Sequence, residues 1–226
     1  MRIVLLGPPG AGKGTQAQEI QRRWGAVHIS SGDLLRAHLK GKTALGEQAR
    51  SYIEQGKLVP DELILPMMRE RLREPDAAAG YVLDGFPRNL AQARVLEKML
   101  AELGQELEAV IDLEVPEEEL VRRNAGRLVC PECEAIYQVD TRPPKEPGKC
   151  DRCGSALGQR EDDRAEVTRH RFQVYRRETE PLVAYYLERG LLHKLDGTIG
   201  VDRVCERMAE IVGCDGSRLG ERAGRS

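Results

Sequence analysis

The sequence predicts an α/β fold: a five-stranded parallel sheet flanked by helices, with insertions that form smaller units of their own. Three observations predict it. Short apolar runs alternate with amphipathic helical patterns along the chain. The first run leads through a glycine-rich loop straight into a helical pattern. At 226 residues the chain can bury one full core and still carry a small insertion.

The strands are expected at residues 2–6, 26–30, 81–84, 110–115 and 191–196. The first helix spans about residues 14–24, with Ala17, Ile20 and Trp24 on one face and Gly25 to end it. Ser31 or Asp33 caps a helix bearing Leu34, Leu35 and Leu39. A further helix carries Leu45, Ala49, Tyr52 and Ile53 and stops at Gly56. Asp61 caps the next, with Leu63, Met67 and Leu72 at core spacing. Pro66 inside it removes the bond to the Glu62 carbonyl and predicts a kink. Asn89 caps a helix showing Ala93, Leu96, Leu100 and Leu103, ended by Gly104. Pro116 suits the first position of a helix reaching about Ala125.

Residues 126–162 lose helical periodicity and gain Cys, Pro and Gly, which marks an inserted subdomain. Asp163 with Glu166 reads as a capping box for a long helix that Pro181 interrupts. Val204, Met208 and Ile211 line a last helix. The polar, Gly- and Arg-rich tail 215–226 is expected to fray.

Composition excludes several classes. Charged residues make up 32% but nearly balance at net −2, so nothing draws the chain as a whole to nucleic acid or membrane. No apolar segment is long enough to span a bilayer. Met1 leads directly into a strand with no n-region or cleavage site. A cytoplasmic chain is expected. Six cysteines in that setting point to metal or free thiols before disulfides.

Two motifs carry chemistry. Gly7-Pro-Pro-Gly-Ala-Gly-Lys-Gly-Thr15 is a phosphate-binding loop between strand and helix. Its backbone N–H groups can turn around an anion, Lys13 adds a point charge, and the helix dipole reinforces both. Gly14 stands where Ser or Thr usually follows the lysine, and the hydroxyl comes one residue later at Thr15. The second motif is a double knuckle. Cys130-Pro-Glu-Cys133 and Cys150-Asp-Arg-Cys153 are separated by sixteen residues, 134–149, a spacing that fits tetrahedral structural zinc. Two disulfides or free thiols are the alternative. Cys205 and Cys214 read as buried or idle thiols. His28, His38, His170 and His193 do not cluster, and no Ser-His-Asp or paired-carboxylate arrangement is present.

Several motifs, in order, resemble adenylate kinase of the long-lid, zinc-bearing bacterial type, within the nucleoside monophosphate kinases. The resemblance covers residues 1–214. It rests on residues 7–16, Ser30-Ser-Gly-Asp-Leu-Leu-Arg36, Gly56-Lys-Leu-Val59 and Leu83-Asp-Gly-Phe-Pro-Arg88 with Gln92 following. It continues through Ala125-Gly-Arg127 and Gln159-Arg-Glu-Asp-Asp163, with Arg171 beyond. Ser31 stands where the family more often has Thr, and Leu128 where many relatives carry a second Arg.

The resemblance implies a P-loop fold with a core of residues 1–30, 60–125 and 164–214. It implies an AMP-binding helical insertion at 31–59 and a zinc-ribbon-like lid at 126–163. The implied reaction is MgATP plus AMP giving two ADP, by a monomer. Gly10, Ala11, Gly12, Lys13, Gly14 and Thr15 would hold ATP, with Arg123, Arg127 and Gly200. Thr15 and Asp84 would lie near Mg²⁺, through water. Ser31, Arg36, Lys57, Leu58, Val59, Gly85, Arg88 and Gln92 would hold AMP. Arg160 and Arg171 would close on the transferring group, so that Lys13, Arg88, Arg123, Arg160 and Arg171 carry the chemistry. Asp162 and Asp163 would either cap the following helix or help the lid close. Rival readings are a UMP, CMP or GTP-using kinase, a regulatory P-loop NTPase, and a zinc-ribbon nucleic-acid binder. Mixed charge and a single aromatic, Tyr137, in the knuckle region argue against the last.

Overall fold

The computed structural model describes residues 1–133 and 135–214. Glu134 and the tail 215–226 lie outside the described residues. The strands are β1 (Arg2–Leu6), β2 (Val27–Ser30), β3 (Tyr81–Asp84), β4 (Ala109–Glu114), β5 (Arg127–Val129), β6 (Ile136–Gln138) and β7 (Leu192–Asp196). Five of them form one parallel sheet, as the alternating pattern predicts, and the structure gives their order as β2-β3-β1-β4-β7. β5 and β6 form a separate antiparallel hairpin.

The helices are α1 (Lys13–Trp24), α2 (Ser31–Lys40), α3 (Ala44–Glu54), α4 (Asp61–Arg73), α5 (Leu90–Glu102), α6 (Glu117–Ala125), α7 (Ala165–Val174), α8 (Pro181–Leu187) and α9 (Val201–Ile211). Helices cover both faces of the sheet, which is why its inner strands β1, β3 and β4 are mostly apolar and buried. On β1, Ile3 and Leu5 pack with Ala17 and Ile20 of α1 and with Val204 and Met208 of α9. Val4 and Leu6 face the other way, toward Met68, Leu96 and Tyr186. The period of two along one strand thus divides the core into two layers.

Register places the functional ends together. Leu5 and Ser30 both pair with Asp84, so β1, β2 and β3 finish at one edge. The loops after their carboxyl ends, and the start of α1, open onto a common crevice. Such crevices are where open α/β sheets bind ligands.

Several local expectations shift. Ser30, not Ser31 or Asp33, caps α2, its hydroxyl accepting from Asp33 N–H at 3.1 Å. Asn89 caps α5 as predicted, accepting from Gln92 N–H at 2.7 Å. Asp61 is the first residue of α4 rather than its cap, and its side chain turns to α5 instead. Pro116 stands one position before α6. Helix α4 continues through Pro66 to Arg73 because Ile64, Met67, Met68 and Leu72 are buried around it. Asp163 does not cap α7: Arg164 stands at that position with no side-chain cap, and the Asp163 carboxylate is drawn to a buried guanidinium. Before Pro181 the backbone widens into a π-turn, Tyr175–Thr179, with Glu180 N–H donating to Tyr175 O at 2.9 Å. Proline then opens α8, where its missing N–H costs nothing.

The hairpin β5–β6 belongs to a small lobe. Cys130, Ala135, Tyr137 and Cys150 are its buried residues, with Leu128 and Leu157 packed against them. Leu128 therefore points into this lobe, on the opposite side of β5 from Arg127, which lines the crevice.

Candidate active site

A cleft of about 630 Å³ runs between the sheet edge, α2 and the small lobe. At its floor the glycine-rich loop turns through Ala11 N–H to Pro8 O at 3.1 Å. Lys13 Nζ donates to Gly7 O at 2.6 Å and Pro8 O at 3.0 Å, so the lysine folds back along its own loop. Asn124 of α6 braces the loop from outside, donating to Pro9 O at 3.0 Å and Leu120 O at 2.8 Å. Gly10 has φ +88°, and a Cβ there would collide with Asn124 Nδ2. Gly14 has a similar local reason. A Cβ on it would stand 3.3 Å from Asp84 Oδ2, so the glycine keeps the space beside that carboxylate open.

Burial pushes Lys13 down to about 8, against the opposing pull of Asp84. Asp84 itself would be raised by burial. Contact with His28 and the Lys13 charge outweigh that and hold it at about 2. His28 Nε2 lies 3.4 Å from Asp84 Oδ2.

Six predicted arginines, Arg36, Arg88, Arg123, Arg127, Arg160 and Arg171, line this one cleft. Five are aimed by a hydrogen-bonding acceptor and Arg160 by a longer ion pair. Arg36 pairs with Asp33, and Arg160 lies 3.8 Å from the same carboxylate. Arg88 Nε donates to Gly85 O at 2.7 Å. Arg123 donates to Glu119 at 2.7 Å and to Gly197 O at 3.1 Å. Arg127 donates to Asp163 at 2.7 Å and Asn124 at 3.1 Å. Arg171 reaches Asp162 at 2.9 Å. Burial and mutual repulsion push Arg88 and Arg160 down to about 10, and lower Arg171 as well. The cleft therefore holds more positive charge than its own carboxylates neutralise. It is built for a polyanion.

Gly12, Thr15 and Gly200 also line the cleft. A smaller cavity opens from its far end, beside Ser31, Lys57, Leu58, Val59, Gly85 and Gln92. Ser31 Oγ donates to Gly85 O at 2.6 Å, the same carbonyl that holds Arg88. Gln92 is 2% exposed, so it is a buried polar group and not part of an exposed helix face.

The four knuckle cysteines converge outside the cleft. Their sulfurs all lie within 4.8 Å of one another, with Cys130–Cys153 and Cys133–Cys150 each at 3.4 Å. All are free thiols, too far apart for an S–S bond of about 2.05 Å. Four sulfurs about 2.3 Å from a shared centre would lie a little under 4 Å apart, so the set fits a tetrahedral metal.

Sequence reasoning missed several members of the site. Glu119 was legible as an i,i+3 and i,i+4 partner of Arg122 and Arg123. Asn124, His28 and Asp61 gave no such signal, because each acts across elements distant in the chain.

The family model for adenylate kinase matches residues 5–191. Adenylate kinase of Archaeoglobus fulgidus is 47% identical over 212 residues, 94% of this chain and 98% of the relative. That of Carboxydothermus hydrogenoformans is 50% identical over 204 residues, 90% and 95% of the two chains. That of Moorella thermoacetica is 50% identical over 215 residues, 95% and 99%. With the family model spanning residues 5–191 and relatives about half identical over nearly the whole chain, the chain belongs to the adenylate kinase family.

Proposed function

We propose that the protein catalyses reversible phosphoryl transfer from MgATP to AMP, giving two ADP. The observation that carries the reading is the charge balance of the cleft: eight arginines, the predicted six with Arg122 and Arg142, line one space with Lys13, and among the described residues no lining carboxyl is poised as a base. Asp33 and Glu119 are tied to arginines, and Asp84 is held at about 2. An AMP phosphate oxygen is anionic at neutral pH and needs no base. Catalysis then consists of alignment, charge stabilisation and exclusion of water.

In this reading the backbone of residues 10–15 and Lys13 hold the donor phosphates. Arg123 and Gly200 flank the donor nucleoside, and Arg127 covers its phosphates. Arg36 and Arg88 hold the acceptor phosphate, while Arg160 and Arg171 meet the transferring group between the two. Ser31, Lys57, Leu58, Val59, Gly85 and Gln92 form the acceptor pocket. Thr15 and the ionised Asp84 suit a magnesium ion that keeps several waters, the ion supplying charge neutralisation at the phosphates. Cys130, Cys133, Cys150 and Cys153 hold zinc in a closed, structural site.

Residues 31–59 and 126–163 act as the acceptor-binding segment and the lid, each closing on its nucleotide over the core of 1–30, 60–125 and 164–214. Contacts between them, such as Arg160 with Asp33, support this division. No helix among the described residues is long and apolar enough to cross a membrane. In this reading the protein works as a monomer in the cytoplasm.

The test is ADP formation from MgATP with AMP, UMP, CMP or GMP in turn, beside a control without acceptor. Turnover confined to AMP establishes the reading. Turnover with a pyrimidine acceptor overturns the acceptor pocket, and ATP loss without acceptor overturns the kinase reading.

A further inference from the structure

Gln92 is held from both ends. Its Oε1 accepts from the Arg88 backbone N–H at 2.7 Å, and its Nε2 donates to Asp61 Oδ1 at 2.7 Å. A backbone N–H can only donate and a carboxylate can only accept, so each contact independently assigns the same orientation to the carboxamide. Rotated by 180°, it would set donor against donor and acceptor against acceptor. Asp61 does not line the acceptor cavity, whereas Gln92 does. It stands behind Gln92 at the start of α4, with Asn89 Nδ2 3.4 Å from the same oxygen. Asn89 in turn caps α5 through Gln92 N–H at 2.7 Å. The two helix starts are thus joined around one amide.

We propose that Asp61 is a positioning residue: by fixing the Gln92 carboxamide, it makes the acceptor cavity select a 6-aminopurine over a 6-oxopurine. The inference rests on the acceptor reading above. With its two internal bonds made, Gln92 has one lone pair on Oε1 and one N–H on Nε2 left to offer. A 6-aminopurine presents an amino donor beside a ring-nitrogen acceptor and satisfies both. A 6-oxopurine presents an oxygen acceptor beside an N–H donor and opposes both. Since Gln92 is buried, the mismatch leaves polar groups unpaired on each side, which is how a hydrogen-bonding site rejects a near-isostere.

The experiment uses the full chain and its variants Asp61→Ala and Asp61→Asn, with MgATP as donor and AMP or IMP as acceptor. IMP keeps the ribose and phosphate and reverses only the pattern at C6 and N1. Asp61→Ala is expected to lower the ratio of kcat/KM for AMP over IMP by about tenfold, through KM for AMP, with KM for ATP unmoved. Asp61→Asn keeps the shape but offers either a donor or an acceptor, and is expected to lower the ratio about threefold. Asp61 also opens α4, where a negative charge stabilises the helix, so both variants are expected to melt earlier. That loss does not move the ratio. If Asp61→Ala fails to fold, Asp61→Asn decides alone. Wild-type discrimination surviving substitution overturns the role of Asp61. A wild-type protein that phosphorylates neither nucleotide overturns the acceptor reading itself.

Discussion

Arg127 and Asp163 are paired end to end across the entrance of the small lobe. Arg127 Nε donates to Oδ2 at 2.7 Å, its Nη2 bonds Oδ1, and the carboxylate is wholly buried. Arg127 enters the lobe from α6, and Asp163 leaves it just before α7. The pair therefore clamps both ends of residues 127–163. It leaves one edge of the guanidinium toward Asn124 and the cleft.

Removing one partner of a buried pair strands the other charge. We expect Asp163→Ala to lower stability by about 3–5 kcal/mol, read from denaturant midpoints. Its KM for ATP should rise more than its KM for AMP, because Arg127 loses its anchor. Equal changes for both nucleotides would place Asp163 outside the donor half of the site.

Lys13 sets function against stability. Its folded value of about 8 lies below the unfolded 10.5. Between those values the unfolded chain binds more protons, so stability should rise with pH through that window. Lys13→Met should abolish this rise and melt higher than wild type at pH 7. It should also lose about 10²–10³-fold in kcat, the scale of a deleted charge-stabilising donor. In the wild-type free enzyme, kcat/KM for ATP should fall above about pH 8. A flat profile to pH 10 would show that Lys13 keeps its proton in the free enzyme despite its burial.

Gly14→Ala tests the space beside Asp84. Alanine gains up to about 1 kcal/mol over glycine in a helix, so the variant should melt no lower than wild type. The added methyl crowds Oδ2, and the magnesium concentration for half-maximal rate should rise severalfold. An unchanged magnesium requirement would show that Asp84 yields freely.

Metal removal should separate fold from chemistry. The small lobe has few apolar residues of its own, so a metal held by its four cysteines would carry much of its order. Chelation, or Cys130→Ser, should release about one zinc per chain. Residues 126–163 should become protease-sensitive and melting should fall, while transfer persists at low temperature. Unchanged melting with abolished transfer would contradict a structural role.

By itself the sequence determined the fold class and named most of the predicted residues that line one cleft and its adjoining cavity. The apolar stretch 3–6 and the largely apolar 110–115 read as core strands, and the loop at 7–15 carries a phosphate-binding mechanism in its glycines and Lys13. The six arginines were picked out by the resemblance, because residue type alone does not separate a phosphate ligand from a solvated arginine. Only the tertiary structure decided the partners. Asp163 reads locally as a helix cap, yet Arg127, 36 positions away, takes it, because a fully buried carboxylate needs a cation more than a helix end needs a cap. Asp61 reads the same way and is taken by Gln92, 31 positions away. Local propensity is written in neighbouring residues. Which acceptor a buried donor finds depends on elements that meet only when the chain has folded.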